Sequence, residues 1–228
     1  MSRPPTAVRA VVPMKPLAGA KSRLWADVTT LEREAVILML LDHVVRAAVE
    51  ALGPGSCHVV GGDAVVRDVA KAAGAEWDEE QGTDLNSSVW LAMQAAYSEG
   101  CAAAIFLPGD LPVVSARDIM AVSAASESFT RPAAVRAKAD GGTNALLVPA
   151  SCAIEPQLGL QSFALHTHAA QRQGTPLAVV DAPGLAWDVD SPDDLEWARA
   201  NVAGFRESLY HWHTLVELRA RGQGEKDG

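Results

Sequence analysis

Residues 102–112 read Ala-Ala-Ala-Ile-Phe-Leu-Pro-Gly-Asp-Leu-Pro, an apolar run that leads into a turn stiffened by two prolines. A continuous apolar run of this kind is typical of a central strand that is buried on both faces of a parallel sheet. Asp110 follows this strand directly, and open parallel sheets bind ligands at the carboxyl ends of their strands. The stretch therefore predicts a fold class and one position of a functional site.

The pattern around this stretch alternates strands and helices. Short apolar runs at 7–13 and 57–61 are each followed by a helical pattern, as is the run at 102–107. Such alternation favours an α/β fold of the Rossmann-like type, with a mostly parallel central sheet and helices on both faces. Because no linker or repeat interrupts the pattern, we expect a single domain over residues 1–221 and a disordered tail over 222–228.

Charge is distributed unevenly along the 228 residues. The chain carries a net charge of −9, yet residues 1–26 hold five basic side chains and no acidic one. An acidic body argues against general nucleic-acid binding, which needs a broad basic face. A local basic loop instead suits a small polyanion held in one cleft.

The apolar and cysteine content points to a cytoplasmic protein. The longest apolar segment is far shorter than the roughly 20 residues that a membrane span requires, so we expect no membrane association. The three cysteines lie far apart and form no Cys-x-x-Cys pair. We expect them to be buried reduced thiols.

The basic loop follows the first strand and is the first candidate site. Residues 14–24 read Met-Lys-Pro-Leu-Ala-Gly-Ala-Lys-Ser-Arg-Leu and contain Lys15, Lys21 and Arg23. Lysine supplies point charges and arginine a fork that binds phosphate oxygens, so the loop suits a polyphosphate. The alternative is a frayed basic terminus. The chain has neither a Walker A motif nor Gly-x-Gly-x-x-Gly, so no sequence motif supports a kinase, GTPase or dinucleotide-binding site.

Carboxylates form the second candidate site. Asp110 lies at the end of the central strand, where a hard oxygen ligand suits Mg²⁺ that is completed by water and substrate phosphates. The alternative is an aspartate that merely closes a turn. Asp188 and Asp190 alternate along an extended segment, so both side chains face one side. Two like charges on one face favour a bound cation.

Two glycine-containing turns and two histidine pairs leave alternatives open. The Asp-Gly-Gly-Thr-Asn run at 140–144 allows close approach of a ligand, or it closes a hairpin. The Gly-Thr-Asp-Leu-Asn run at 82–86 either contacts a ligand or only caps a helix. The histidines at 166 and 168, and at 211 and 213, are spaced two apart, which suits no metal site on a helix. We expect them to be surface or packing residues.

Taken together, these motifs resemble a family of nucleotidyltransferases that activate a phosphorylated three-carbon acid with GTP for deazaflavin coenzyme biosynthesis. The family comprises 2-phospho-L-lactate and phosphoenolpyruvate guanylyltransferases and is related to the molybdenum-cofactor guanylyltransferases. The resemblance extends from Val11 to about Leu195. Its strongest segments are 12–17, 20–24, 107–112, 140–146 and 188–192.

The resemblance implies a role for each candidate residue. The catalytic phosphate-binding residues are Lys15, Lys21 and Arg23. The ligands of a divalent metal, Mg²⁺, are Asp110, Asp188 and Asp190. The nucleotide lies beside Pro13, Lys15, Gly82, Leu85, Asn86 and Pro108. The acid substrate contacts Thr143, Asn144, Gly159, Gln161 and Ser162.

The acceptor loop departs from the family pattern. Where the family usually reads Phe-Gly-Pro-Gly-Ser-Phe, residues 158–163 read Leu-Gly-Leu-Gln-Ser-Phe. The resemblance leaves 2-phospholactate, phosphoenolpyruvate and 3-phosphoglycerate as acceptors. Because the Gln161 amide can bond an additional hydroxyl, which only phosphoglycerate has, we favour 3-phosphoglycerate.

The reaction implied is guanylyl transfer with release of pyrophosphate. The alternatives are a sugar-phosphate or molybdenum-cofactor nucleotidyltransferase and, from a different class, a catalytically silent GTP-binding regulator. Guanine specificity rests on the resemblance alone. An apolar C-terminal helix over residues 206–221 packs on the body of the protein or on a partner, which makes a homodimer possible.

Overall fold

A computed structural model describes residues 7–17, 28–152 and 154–224 of the protein. Its strands are β1 (Val8–Met14), β2 (Cys57–Gly61), β3 (Glu76–Asp78), β4 (Ala103–Phe106), β5 (Ala133–Arg136), β6 (Thr143–Pro149) and β7 (Ala178–Val179). Its α-helices are α1 (Thr30–Leu52), α2 (Ala64–Ala72), α3 (Leu85–Ser98), α4 (Ala116–Ala125), α5 (Ser162–Arg172), α6 (Pro192–Asn201) and α7 (Phe205–Gly224). A short 3₁₀ turn spans Pro183–Leu185.

The seven strands form one sheet in the order β3-β2-β1-β4-β6-β5-β7. β1 pairs in parallel with β2 and β4, and β5 pairs in parallel with β7. Only β6 runs antiparallel to its two neighbours in the described sheet. The prediction of an α/β fold with a mostly parallel central sheet is therefore confirmed.

The reversed direction of β6 determines which residues reach the functional edge of the sheet. The residues that follow a parallel strand lie at the edge of the sheet where the parallel strands end, as Asp110 does after β4. An antiparallel strand begins at that same edge, so its first residues lie there. Thr143 and Asn144, the first residues of β6, therefore lie where the parallel strands end, with Thr143 opposite Arg136 of β5.

Helices cover both faces of the sheet because its strands are buried on both sides. In β4, Ile105 belongs to a core cluster that includes Leu38 and Leu41 of α1. The next residue, Phe106, belongs to the opposite cluster with Met93 of α3. Burying apolar surface is worth about 25 cal/mol per Å², so these two layers supply the main stabilisation of the fold.

Two differences from the sequence patterns concern β3 and α7. β3 was not expected, because its three residues have exposed ends and only Trp77 between them is half-buried. α7 continues to Gly224, three residues into the tail that was predicted over 222–228. Residues 225–228 lie outside the described residues.

The C-terminal helix packs on the body of the protein. Phe205, Leu209 and Val216 of α7 are buried in the same core cluster as the apolar face of α1. All three cysteines are buried thiols, as expected.

No helix within the described residues combines the length and the apolar character that a membrane crossing needs.

Candidate active site

The loops after β1 and β4 meet at the carboxyl edge of the sheet. Lys15 follows β1 directly and is exposed, and Asp110 follows β4. The two loops approach so closely that a Cβ atom on Gly109 would lie 2.6 Å from the Met14 sulfur. Glycine at 109 therefore permits the contact that brings the basic loop and the first carboxylate together.

A backbone hydrogen bond brings the other two carboxylates to Asp110. The Val189 amide donates to the Asp110 carbonyl oxygen at 3.0 Å, so Asp188 and Asp190 flank a residue that is bonded to the Asp110 loop. The segment then enters α6, where Ser191 and Asp194 form a reciprocal capping box. Asp194 thus caps the start of α6.

Asp188 is the most perturbed of the three carboxylates. Burial, followed by the negative charges of Asp110 and Asp190, raises the pKa of Asp188 to about 7. A hydrogen bond from the Asn144 Nδ2 atom to Asp188 Oδ1 at 3.2 Å acts in the opposite direction. The carboxylates are therefore close enough to repel one another in a partly desolvated place.

The donor set fits a divalent cation that is shared with a substrate. Within the described ranges, no three His, Cys, Asp or Glu side chains are grouped so that they could hold a metal ion by themselves. Mg²⁺ usually takes only one or two carboxylates and completes its octahedron with water and phosphate oxygens. Burial and the neighbouring negative charges both make the ionised form of Asp188 unfavourable, and a bound cation would relieve this cost.

The basic loop is anchored at its described end. Leu17 is buried, and its amide donates to Asp63 Oδ2 at 2.9 Å, while the other carboxylate oxygen of Asp63 caps α2. This anchor fixes the chain two residues after Lys15. Lys21 and Arg23 lie outside the described residues, so their phosphate-binding role stays a prediction.

The turn at 82–86 caps α3 and also contacts the acceptor loop. Asp84 and Ser87 form a capping box, and a Cβ atom on Gly82 would lie 2.3 Å from the Ser88 amide. Asn86 accepts a hydrogen bond from the Leu158 amide at 2.6 Å. The helix-cap interpretation is thus correct for Asp84, while Asn86 links the predicted nucleoside side to the predicted acceptor side.

The remaining predicted nucleotide residues lie around the same edge. Leu85 begins α3 and is 41% exposed. Pro13 is the penultimate residue of β1 and Pro108 follows β4, and both are half-buried. No described contact joins these three to one another, so their role stays a prediction.

The predicted acceptor residues come from three segments. Thr143 of β6 and Ser162 of α5 are buried, with their hydroxyl oxygens 2.9 Å apart. The turn at 140–142 closes the β5–β6 hairpin, and the Ala137 amide donates to the Gly142 carbonyl at 3.0 Å. Gly159 is exposed and has a φ of +122°. The structure therefore brings Thr143 and Ser162 into contact and places the glycine loop beside them.

Gln161 adopts the left-handed conformation, with a φ of +59°, immediately before α5. This conformation costs a residue other than glycine about 1 kcal/mol, which explains the glycine of the family pattern at this place. The Gln161 Nε2 atom donates to the Asp140 carbonyl at 3.0 Å, and the amide lies across Gly141. The side chain thus joins the acceptor loop to the hairpin turn.

His166 is a site residue that the sequence reasoning missed. It is fully buried, whereas His168 is exposed, so both agree with the expectation of a surface or packing role, but that expectation gave His166 no place in the site. Its Nδ1 atom lies 3.0 Å from Thr143 Oγ1, and its Nε2 atom accepts from the Gln157 amide at 2.8 Å. One signal was available, because His166 lies four residues after Ser162 and shares its helix face.

A stack of side chains beside Asp188 was also missed. Trp187 packs parallel to Trp197 with ring centroids 4.4 Å apart, and the Lys138 amine lies 4.4 Å from the Trp187 centroid. The stack fixes the backbone next to Asp188. Nothing in the sequence pairs these three residues, which come from three separate segments.

A cavity of about 340 Å³ under α3 contains none of the predicted site residues. It is lined by the Arg9–Glu99 ion pair at 2.6 Å and by a hydrogen bond between His58 and Asp78 at 2.6 Å. Because these polar groups already bind each other, the cavity is a weaker candidate site than the carboxylate edge of the sheet.

Asp188→Asn is expected to raise the unfolding temperature of the metal-free protein at pH 8. The pKa of Asp188 is higher in the folded chain than in the unfolded chain, so ionisation between about pH 4 and 7 destabilises the fold. The rise in unfolding temperature should be smaller at about pH 5, where Asp188 is already protonated in the folded wild type. Thermal unfolding at both pH values, with the exposed Asp181→Asn as control, measures this. An equal gain at both pH values would contradict it.

The buried His166 is expected to make stability fall in mild acid. Burial lowers the pKa of His166 to about 4, below its ordinary value, so the unfolded chain takes up a proton first as the pH falls. The free-energy advantage of the wild type over His166→Gln should decrease by about 1–2 kcal/mol between pH 7 and pH 5. Urea unfolding at the two pH values measures this, with His168→Gln as the matched control. A constant difference would count against the buried neutral ring.

Comparison with known proteins identifies the family of this chain. The family described as "Guanylyl transferase CofC like" matches residues 8–198. A phosphoenolpyruvate guanylyltransferase of Rubrobacter xylanophilus is 38% identical over 200 residues, covering 86% of this chain and 95% of that protein. A 3-phospho-D-glycerate guanylyltransferase of Phenylobacterium zucineum is 36% identical over 213 residues, covering 91% of this chain and 94% of that protein.

A solved structure from Desulfovibrio desulfuricans, assigned as a nucleotide-diphospho-sugar transferase, shares the fold. It superposes with a TM-score of 0.71 at 17% identity and covers 95% of this chain and 98% of its own. Because the identity is low, this likeness concerns the fold alone. The family match and the two relatives agree, and the chain belongs to the guanylyl transferase CofC like family of nucleotidyltransferases.

Proposed function

We propose that this chain transfers GMP from GTP to the phosphate of a short phosphorylated carboxylic acid, with release of pyrophosphate. One observation supports this best, namely that two consecutive residues of β6 face the two halves of the site. Asn144 donates to Asp188 among the carboxylates, and Thr143 contacts Ser162 at the acceptor loop. An acid bound at Thr143 would thus lie next to a nucleotide bound at the carboxylates.

The chemistry requires alignment and charge neutralisation rather than a general base. A phosphate oxygen of the acceptor is ionised at neutral pH and attacks the α-phosphorus of GTP. The new bond joins the two phosphates, and the bond to the departing pyrophosphate breaks. Lys15, with Lys21 and Arg23 of the same loop, would bind the pyrophosphate charge. Holding the two phosphates in line supplies the remaining rate enhancement.

We propose Asp110, Asp188 and Asp190 as the ligands of Mg²⁺. A bound divalent cation would neutralise the charge that develops on the phosphates. The support from this chain is the burial of Asp188 beside the negative charges of Asp110 and Asp190, which together raise the pKa of Asp188 to about 7. Asn144 would keep Asp188 oriented through its hydrogen bond.

We propose 3-phosphoglycerate as the preferred acceptor. The Gln161 Nε2 atom is engaged by the Asp140 carbonyl, and no donor to its Oε1 atom is found among the described residues. An amide oxygen accepts hydrogen bonds, and the hydroxyl of phosphoglycerate is a donor that phosphoenolpyruvate lacks. The relative of Phenylobacterium zucineum that carries this acid in its name supports the proposal.

The buried thiols support a cytoplasmic location, which we also propose. Guanine as the base is proposed on the family membership. A homodimer stays a prediction.

Asp110→Asn and Asp190→Asn are each expected to lower kcat at least about 100-fold while leaving the fold intact, because each removes charge that holds the cation. Pyrophosphate release at saturating Mg²⁺ measures the activity, and circular dichroism checks the fold. Asp193→Asn, in the first turn of α6 beside the site, is the matched control and should retain activity. Wild-type rates in both site variants would remove the metal assignment.

A competition among three acids identifies the acceptor. The protein is incubated with GTP, Mg²⁺ and equimolar 2-phospholactate, phosphoenolpyruvate and 3-phosphoglycerate, and the products are resolved by mass. The guanylylated phosphoglycerate should dominate in the wild type, and Gln161→Gly should reduce its share by about tenfold through loss of one hydrogen bond. A product from phosphoenolpyruvate alone would refute the preference.

Two further outcomes of the same assay would contradict the proposed function. Turnover with sugar phosphates or molybdopterin but none of the acids would indicate a different nucleotidyltransferase. GTP binding without pyrophosphate release would indicate a regulator.

A further inference from the structure

A buried histidine connects the strand, the helix and the loop that form the predicted acceptor site. His166 lies on α5, one turn after Ser162, and none of its surface is exposed. Its ring contacts Thr143 of β6 on one side and the Gln157 main chain on the other. A fully buried polar ring with both nitrogens engaged is fixed in a single orientation.

The two contacts assign the tautomer. A backbone amide can only donate, so the Nε2 atom that receives the Gln157 N–H at 2.8 Å carries no proton. The proton of the neutral ring is therefore on Nδ1, which donates to Thr143 Oγ1 at 3.0 Å. The low pKa of about 4 keeps the ring neutral over the working pH range.

The loop that His166 holds is also held at the adjacent residue. The Gln157 amide donates to His166, and the next amide, that of Leu158, donates to Asn86 at 2.6 Å. Two consecutive amides thus fix the start of the acceptor loop. Asn86 ties the loop to α3 on the nucleotide side, while His166 ties it to Thr143 and Ser162 on the acid side.

The Thr143 and Ser162 hydroxyls are constrained by the same ring. Thr143 Oγ1 accepts from His166 and lies 2.9 Å from Ser162 Oγ. The ring proton occupies one lone pair of Thr143 Oγ1, and either hydroxyl can be the donor of the contact between Thr143 and Ser162. The ring therefore fixes one of the hydrogen bonds of this pair.

We infer that His166 is the positioning residue of the phospho-acid subsite, which it shapes by holding the acceptor loop at Gln157 against the Thr143 hydroxyl. This inference rests on the proposed function for the identity of the ligand. His166 does not touch the reacting phosphates. It acts through Thr143, Ser162 and the loop, so its loss should affect the acid and not the nucleotide.

His166→Phe, which keeps a ring of similar size but has neither polar contact, is the first test. The KM for the phospho-acid should rise about tenfold, as expected for lost hydrogen bonds, while the KM for GTP should stay within about twofold. His168→Phe, on the exposed face of the same helix, should change neither constant. An unchanged KM for the acid in a folded His166→Phe protein, or an equal rise in both constants, would overturn the inference.

His166→Gln and His166→Asn keep the test decisive if the phenylalanine variant does not fold. Glutamine places an amide near the Nε2 position and keeps an acceptor for Gln157, whereas asparagine keeps a donor near Nδ1 for Thr143. Each should recover part of the affinity for the acid relative to His166→Phe or, if that variant is lost, relative to His166→Ala. If neither variant recovers affinity for the acid, the ring contributes only its volume to the packing, and the inference is overturned.

The tautomer can be measured without any activity. Nitrogen-15 spectra of the full chain should show His166 protonated at Nδ1 and not at Nε2 between about pH 5 and 8. The opposite tautomer, or a ring that titrates near its ordinary pKa, would overturn the inference. Failure of the wild type to use any phospho-acid would contradict the proposed function, whereas turnover with an unchanged KM in the variants would contradict only the role of His166.

Discussion

The mutual repulsion of three carboxylates is the constraint around which this edge of the sheet is organised. One backbone hydrogen bond, from the Val189 amide to the Asp110 carbonyl, holds two distant parts of the chain together despite that repulsion. Burial strengthens the repulsion between the carboxylates, since charges interact more strongly away from water. The capping box of α6 and the stacked Trp187 hold the second segment in place on either side of Asp188 and Asp190. The proposed Mg²⁺ site would use this arrangement to bind positive charge.

The antiparallel strand β6 joins this charged region to the acceptor loop. Because successive side chains of a strand point to opposite sides, Thr143 and Asn144 can serve two neighbouring subsites at once. Asn144 orients a carboxylate, and Thr143 belongs to the hydrogen-bonded group of Ser162 and His166. The separation between nucleotide and acid would thus be determined by one strand rather than by a flexible loop.

Much of the fold could be predicted from the sequence because its patterns are local. The bounds of β2 agree with the expected range, since a short apolar run defines that strand. β3 was not predicted, because three residues with polar, exposed ends are too few to show a periodic pattern. Asp110 could be predicted from its position after β4, and Asp188 and Asp190 from their alternation along an extended segment. The role of His166 could not be predicted from the sequence, because it depends on contacts with Gln157 and Thr143 that only tertiary structure creates. The amide of Gln161 was recognised as a departure from the family pattern, but its left-handed backbone was not.

The most direct measurement follows the phosphate oxygens of the acceptor. The protein is supplied with GTP, Mg²⁺ and 3-phosphoglycerate whose phosphate carries oxygen-18, and the products are analysed by mass. If the acceptor phosphate attacks the α-phosphorus, all of the label remains in the guanylylated acid and the released pyrophosphate contains none. Label in the pyrophosphate, or formation of free GMP without a guanylylated acid, would contradict guanylyl transfer at this site.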